Sequence, residues 1–251
     1  MKYFAKIRYV GTDFHGFQVQ PGHRTVQGEL CRVLTMALGV PVAVTGCSRT
    51  DAGVHAEAFC LTADAPGATV PPEKLPVAVL PYLPSDLSLY EAVLCPDGFH
   101  PRYDVSSKEY VYRILNRKIP DPFLAGRVWT LPRTVTDDGF RRMCRAAADF
   151  VGTHDFSSFM AEGSDVSDTV RTVFDASVTR EGDMISFFVR ADGFLYHMVR
   201  IMTGTLTDIA FGRLSEDAVA GILESKNRSA AGMTAPPDGL YLHRVVYDWK
   251  N

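Results

Sequence analysis

Apolar and aromatic residues alternate with polar ones over Lys2–Tyr9, which predicts a strand. The segment GTDFHGFQVQPGHR that follows is broken by glycines and predicts a loop. Thr25 then precedes Val26, Leu30, Val33, Leu34 and Leu38 at helical spacing, so it is the expected N-cap of a helix running to about Leu38. Short strands are expected at residues 42–44 and 58–63, with the loop GCSRTDAGVHA between them. Residues 72–80 read as a helix that Pro76 limits or bends, and residues 87–95 as a strand.

The second half repeats this kind of pattern. Residues 109–115 alternate as a strand, and Thr136 is the expected cap of a helix over 137–150, whose two leading acids suit the helix dipole. Two strands, at 172–180 and Met184–Ala191, flank a Glu-Gly-Asp turn. Helices are expected at 196–210 and, capped by Ser215, up to about Lys226, before a closing strand at 241–247. The order strand, helix, strand, strand, helix, strand in the first half points to an α+β fold. We expect two ferredoxin-like or RRM-like halves with antiparallel sheets and helices packed on one face, 1–104 and 105–251, with the boundary within 101–107.

Composition changes this picture little. Of 251 residues, 46% are hydrophobic and 22% charged, ordinary for a soluble globular protein. No run is long and apolar enough to span a bilayer, and Lys6 and Arg8 interrupt the apolar start, so neither a membrane anchor nor a signal peptide is expected. Five scattered cysteines with no CxxC pair argue against disulfides and zinc, and with them for a cytoplasmic setting. The histidines show no ligand spacing, so no metal is expected. The net charge of −3 is a mild argument against a nucleic-acid partner, although a basic groove can sit on such a protein.

The candidate chemistry lies in the loop between the second and third strands, where Arg49, Asp51 and His55 crowd among small residues. A carboxylate there can act as nucleophile or general base, and a neighbouring guanidinium keeps it ionised in a closed site. By residue type alone, Asp51 is more simply a turn-forming aspartate. A glycosidase reading would require a second carboxylate as acid, for which Glu57 and Asp155 are available. An RRM-like binding module would leave RTDAGVH without a purpose.

The whole string resembles the active-site segment of the tRNA pseudouridine synthase A family, Gly-Arg-Thr-Asp-Ala-Gly-Val-His, with Ser48 in place of its first glycine. Further stretches match in order: GTDFHGFQVQ with Thr25-Val26-Gln27, Phe99-His100-Pro101-Arg102 with Lys108-Glu109-Tyr110-Val111-Tyr112, GTHDFSSF, FLYHMVR, and Gly239-Leu240-Tyr241-Leu242. The resemblance implies isomerisation of uridine to pseudouridine in the anticodon arm of tRNA, without a cofactor, by a homodimer. It implies Asp51 as nucleophile or base and Arg200 as its basic partner. Tyr110 would receive the extruded base and Leu240 would pack beneath it, while Arg49 and His55 would touch phosphates or help extrusion. Tyr112 is the better core candidate of the tyrosine pair, and His197 and Met198 are equally packing residues. Lys6, Arg8, Arg24, Arg102 and Lys108 are candidates for a basic surface that follows the RNA backbone.

Overall fold

The computed structural model describes residues 1–163 and 166–250. In chain order its elements are β1 (Lys2–Tyr9), α1 (Val26–Leu38), β2 (Ala43–Gly46), β3 (His55–Asp64), α2 (Leu75–Val79), β4 (Leu87–Leu94), β5 (Ser107–Leu115), β6 (Trp129–Thr130), α3 (Asp137–Ala148), β7 (Gly152–Asp155), β8 (Val170–Glu181), β9 (Met184–Ala191), α4 (Met198–Ala210), α5 (Ala218–Ser225) and β10 (Leu240–Val246), with short 3-10 turns between. The fold is mixed α+β and its strand pairs are mostly antiparallel. The chain divides into two compact units: Met1–Ser106 with Tyr241–Asn251, and Ser107–Leu240. The closing strand, placed by sequence order with the second half, therefore belongs by its contacts to the first unit.

In the first unit β1 is paired antiparallel with β3 on one side and β4 on the other. β2 extends the sheet from β3, and β10 joins β3 in parallel through Tyr241↔His55 and Leu242↔Ala56. The alternation of β1 buries Tyr3, Ala5, Ile7 and Tyr9. Phe4 points the other way and is buried as well, because Phe99, Tyr247 and Trp249 close over it at 5.6, 5.5 and 5.1 Å. Thr25 caps α1 as expected, its hydroxyl accepting from the Gly28 N–H at 3.3 Å. Val26, Leu30, Val33 and Leu34 are buried along one stripe, while Leu38 is only half-buried. Pro76 stands in the first turn of α2, where its missing N–H leaves no helical bond unmade.

In the second unit the order is β5, β9, β8, β7 with antiparallel pairs, and β6 pairs in parallel with β5. Helix α3 packs on β8 and on α4, and α4 packs on β5. Thr136 caps α3 by accepting from the Gly139 N–H at 3.0 Å. Two helix starts differ from the expectation. The helix foreseen from residue 196 starts at Met198, because His197 holds a left-handed backbone (φ 60°). Ser215 does not cap a helix: its hydroxyl donates to the Asp217 carboxylate, and α5 starts only at Ala218. GTHDFSSF forms β7 and a 3-10 turn whose Phe156 and Phe159 are fully buried core residues.

Candidate active site

Asp51 is half-buried in the connection from β2 to β3, and the residues around it are tied down one by one. The segment 11–17 forms the other wall. Phe17 donates its N–H to the Thr50 carbonyl (3.1 Å), Gly53 donates to the Phe14 carbonyl (3.2 Å), and Val54 donates to the Asp51 carbonyl (3.2 Å). The Thr50 hydroxyl is buried in a 2.7 Å bond with the Tyr9 hydroxyl. The close approach demands glycine at two places. A Cβ at Gly11 would lie 2.0 Å from the Val54 carbonyl oxygen, and Gly16, at φ +81°, would place one 2.8 Å from the Thr50 carbonyl oxygen. The glycines of GTDFHGF are thus the counterpart of the small residues in RTDAGVH.

His55 is only 1% exposed. Its Nδ1 accepts the Gly11 N–H at 2.9 Å, so the proton of the neutral ring sits on Nε2. Its ring stacks on Tyr241 at 4.5 Å. This enclosure makes His55 a brace for the loop. Arg49 is exposed at the loop's surface.

The second unit holds Tyr110, Arg200 and Leu240. Tyr110 and Tyr112 project on one face of β5, as the period of two requires, but their surroundings differ. Tyr112 is fully enclosed and donates its hydroxyl to the Pro236 carbonyl at 2.7 Å. Burial pushes its phenol far above the ordinary range, opposed by the Arg200 charge and assisted by Asp238. Tyr110 keeps 7% of its surface and meets Phe194 edge-on at 5.0 Å. Arg200 is half-buried in the first turn of α4, its Nε donating to the Ala235 carbonyl at 2.8 Å while the Ala235 N–H donates back to the Arg200 carbonyl at 3.1 Å. The Nε bond ties the guanidinium to its own chain, unlike an arginine extended into solvent. Leu240 is 6% exposed. Just before it, Gly239 passes so close to β5 that a Cβ would meet the Arg113 carbonyl oxygen at 2.5 Å.

The surrounding charges are partly spent within the protein. Lys6 pairs with Glu91 at 2.8 Å and Arg24 with Asp86 at 2.7 Å. Of the two carboxylates available to a glycosidase, Glu57 meets His243 Nδ1. Asp155 accepts from the Thr169 hydroxyl (2.6 Å) and the Ser157 N–H (3.0 Å) and pairs with Lys226 (2.9 Å). The Thr169 hydroxyl and the Lys226 ammonium hold Asp155 well below the usual carboxylate range, the opposite of what a general acid needs. Among the described residues, no three His, Cys, Asp or Glu side chains are grouped to hold a metal ion.

Residues 146–248 match the sequence profile described as tRNA pseudouridine synthase. Similarity to individual proteins runs over nearly the whole chain. A tRNA pseudouridine synthase A of Thermoanaerobacter sp. (strain X514) is 41% identical over 96% of this chain and 97% of its own. The protein of that name from Bacillus subtilis (strain 168) is 40% identical over 99% of this chain and 100% of its own. That from Halalkalibacterium halodurans is 44% identical over 94% and 88%. The chain belongs to the tRNA pseudouridine synthase A family.

Proposed function

We propose that the protein isomerises uridine to pseudouridine in the anticodon arm of tRNA, as a cytoplasmic homodimer and without a cofactor. In the reaction the N1–C1′ bond breaks and a C5–C1′ bond forms, the C5 proton being lost and one gained at N1. Asp51 is the nucleophile or base. Arg200 holds its carboxylate charged, Tyr110 receives the flipped base, Leu240 packs beneath it, and Arg49 binds backbone phosphate. His55 acts through the loop, as a positioning residue.

The observation that carries this reading is the construction of the Asp51 loop. Hydrogen bonds at Thr50, Gly53 and Val54 fix the backbone on both sides, while the aspartate itself keeps access to solvent. A turn-forming surface aspartate needs no such bracing, whereas a reacting carboxylate gains from it, since a misplacement of about 1 Å lowers a rate by about 100-fold. The test uses purified protein, unmodified tRNA transcript and a chelator, with pseudouridine mapped by position. Wild type is expected to modify uridines of the anticodon arm, and Asp51→Ala to make no product. The Asp51→Ala protein should still bind tRNA, with affinity falling as salt rises. Modification elsewhere in the tRNA, or full activity in Asp51→Ala, overturns the assignment.

A further inference from the structure

The register of β2 on β3 sets two cysteines against each other where the Asp51 loop begins. The antiparallel pairing runs from Ala43↔Asp64 through Thr45↔Thr62 to Gly46↔Leu61. One step further, Cys47 stands opposite Cys60 and donates its N–H to the Cys60 carbonyl at 2.9 Å. Residues directly opposite in an antiparallel pair project from the same face of the sheet, and a hydrogen-bonded pair has its Cα atoms about 5.5 Å apart. A disulfide spans about 4.4–6.8 Å between Cα atoms, so the pair lies within its reach. Both residues are thiols and both are fully buried. They share a neighbour in Tyr247, whose hydroxyl donates to the Pro101 carbonyl at 2.6 Å. Burial pushes that phenol far above its ordinary range, and the Cys47 and Cys60 thiols beside it add to the rise.

The two sides of the pair are held unequally. Cys60 sits inside β3, with β1 on one side at Lys6 and β2 on the other. Cys47 follows the last residue of β2 and opens the connection that carries Asp51 four residues on. Opposed Cβ atoms in such a pair stand about 4.5–5.5 Å apart, against about 3.8 Å in a disulfide, so closing the bond draws them together by about 1 Å. The less constrained partner moves, and that is Cys47. A misplacement of about 1 Å at a reacting group lowers a rate by about 100-fold, so half of it transmitted to Asp51 lowers the rate by about tenfold. Enclosure keeps bulky oxidants from the thiols, whereas a peroxide is small enough to enter when the start of the loop opens locally.

We propose that Cys47 and Cys60 form an oxidation site, which hydrogen peroxide closes into a disulfide that ties the start of the Asp51 loop to β3 and reversibly slows the enzyme. The peroxide oxidises one thiol to a sulfenic acid, its O–O bond breaking with release of one water. The second thiol attacks that sulfur, the S–O bond breaks, and a second water leaves. Two protein thiols are oxidised and one peroxide is reduced. Transient, reversible disulfides of this kind are the form found in reducing compartments. The loss of rate rests on Asp51 being the reacting group, while formation of the bond does not.

The test treats the purified protein with hydrogen peroxide, alkylates the remaining thiols under denaturing conditions and digests with trypsin. Cleavage after Arg32, Arg49 and Lys74 puts the two cysteines on separate peptides, residues 33–49 and 50–74. These are expected as one linked species that reduction separates, with three of the five cysteines alkylated. Pseudouridine formation under single-turnover conditions should fall about tenfold in the linked protein and return with dithiothreitol, which does not reverse methionine sulfoxide. Cys60→Ala, or Cys60→Ser where the alanine variant does not fold, should give no linked species and keep its rate through the same treatment. Absence of the linked peptides, linkage through other cysteines in their place, or a linked protein with an unchanged rate overturns the proposal. A Cys60 variant that loses its rate equally does so too. A reduced wild type that forms no pseudouridine sinks the assigned activity instead, and the linked peptides then decide the oxidation site alone.

Discussion

Replacing Gly11 by alanine tests whether the N-terminal segment positions Asp51. The added methyl would begin 2.0 Å from the Val54 carbonyl oxygen and 2.5 Å from its carbonyl carbon, both backbone atoms that no rotamer change can move aside. Restoring an ordinary contact near 3.4 Å requires the two backbones to part by about 1.4 Å. Val54 donates to the Asp51 carbonyl, so that movement passes directly to the aspartate. It also draws the Gly11 N–H away from His55 Nδ1, now 2.9 Å distant. Overpacking of this kind destabilises by roughly 1–3 kcal/mol, and the strained hydrogen bond adds about 1 kcal/mol. At about 2–4 °C per kcal/mol for a chain of this size, the melting temperature should fall by roughly 4–16 °C. Below the melting point, kcat on unmodified tRNA should fall by about 100-fold. Pseudouridine formation would be followed under single-turnover conditions, with circular dichroism to confirm folding. Gly221→Ala is the control, because its Cβ meets nothing and it lies within α5, where alanine is the better helix former. Gly11→Ala with wild-type kcat and melting temperature would refute the bracing of the loop by residues 11–17.

Other outcomes follow from the same contacts. Thr50→Val keeps the shape of the side chain but leaves the buried Tyr9 hydroxyl without its 2.7 Å partner, so chemical denaturation should show a loss of about 1–3 kcal/mol. Tyr9→Phe combined with it should recover part of that loss, and a double mutant as unstable as Thr50→Val would contradict the explanation. Asp155 has its pKa lowered on folding, so its stabilisation is present above the unfolded carboxylate range and is lost as pH falls through the folded value. Denaturation midpoints measured from pH 7 downwards should therefore decline less steeply in Asp155→Asn than in wild type once the pH is below about 4. Parallel curves would show that Asp155 does not contribute to acid sensitivity.

The elements of the fold were largely legible because their signals are local. Thr25 and Thr136 stood ahead of helical periodicities, and each caps its helix with its hydroxyl. Strand β1 and helix α1 begin and end where the alternation and the 3.6-residue period do. The misplaced helix starts came from a competing side-chain hydrogen bond and a special backbone conformation. Ser215 had an acid two residues on that takes its hydroxyl, and His197 adopts a left-handed conformation that a non-glycine residue rarely shows. The two-residue β6 carries too few positions for any period to show.

The sequence by itself determined the family, through an ordered set of motifs in which each stretch is a short string of residue types. It determined Asp51 as the candidate reacting group in the same way. Its period of two placed Tyr110 and Tyr112 on one face, and the fold shows how they differ: Tyr112 is fully buried with its hydroxyl on Pro236, and Tyr110 keeps 7% of its surface. It offered His55 as a contact to phosphate or an aid to base extrusion, and the fold packs it against Gly11 and Tyr241. The stacking of Tyr241 on His55 had no sequence signature, because the two lie far apart in the chain and meet only where parallel β10 docks on β3. Residue types and their local periods are written along the chain, whereas enclosure and the meeting of distant strands depend on contacts that no local pattern encodes.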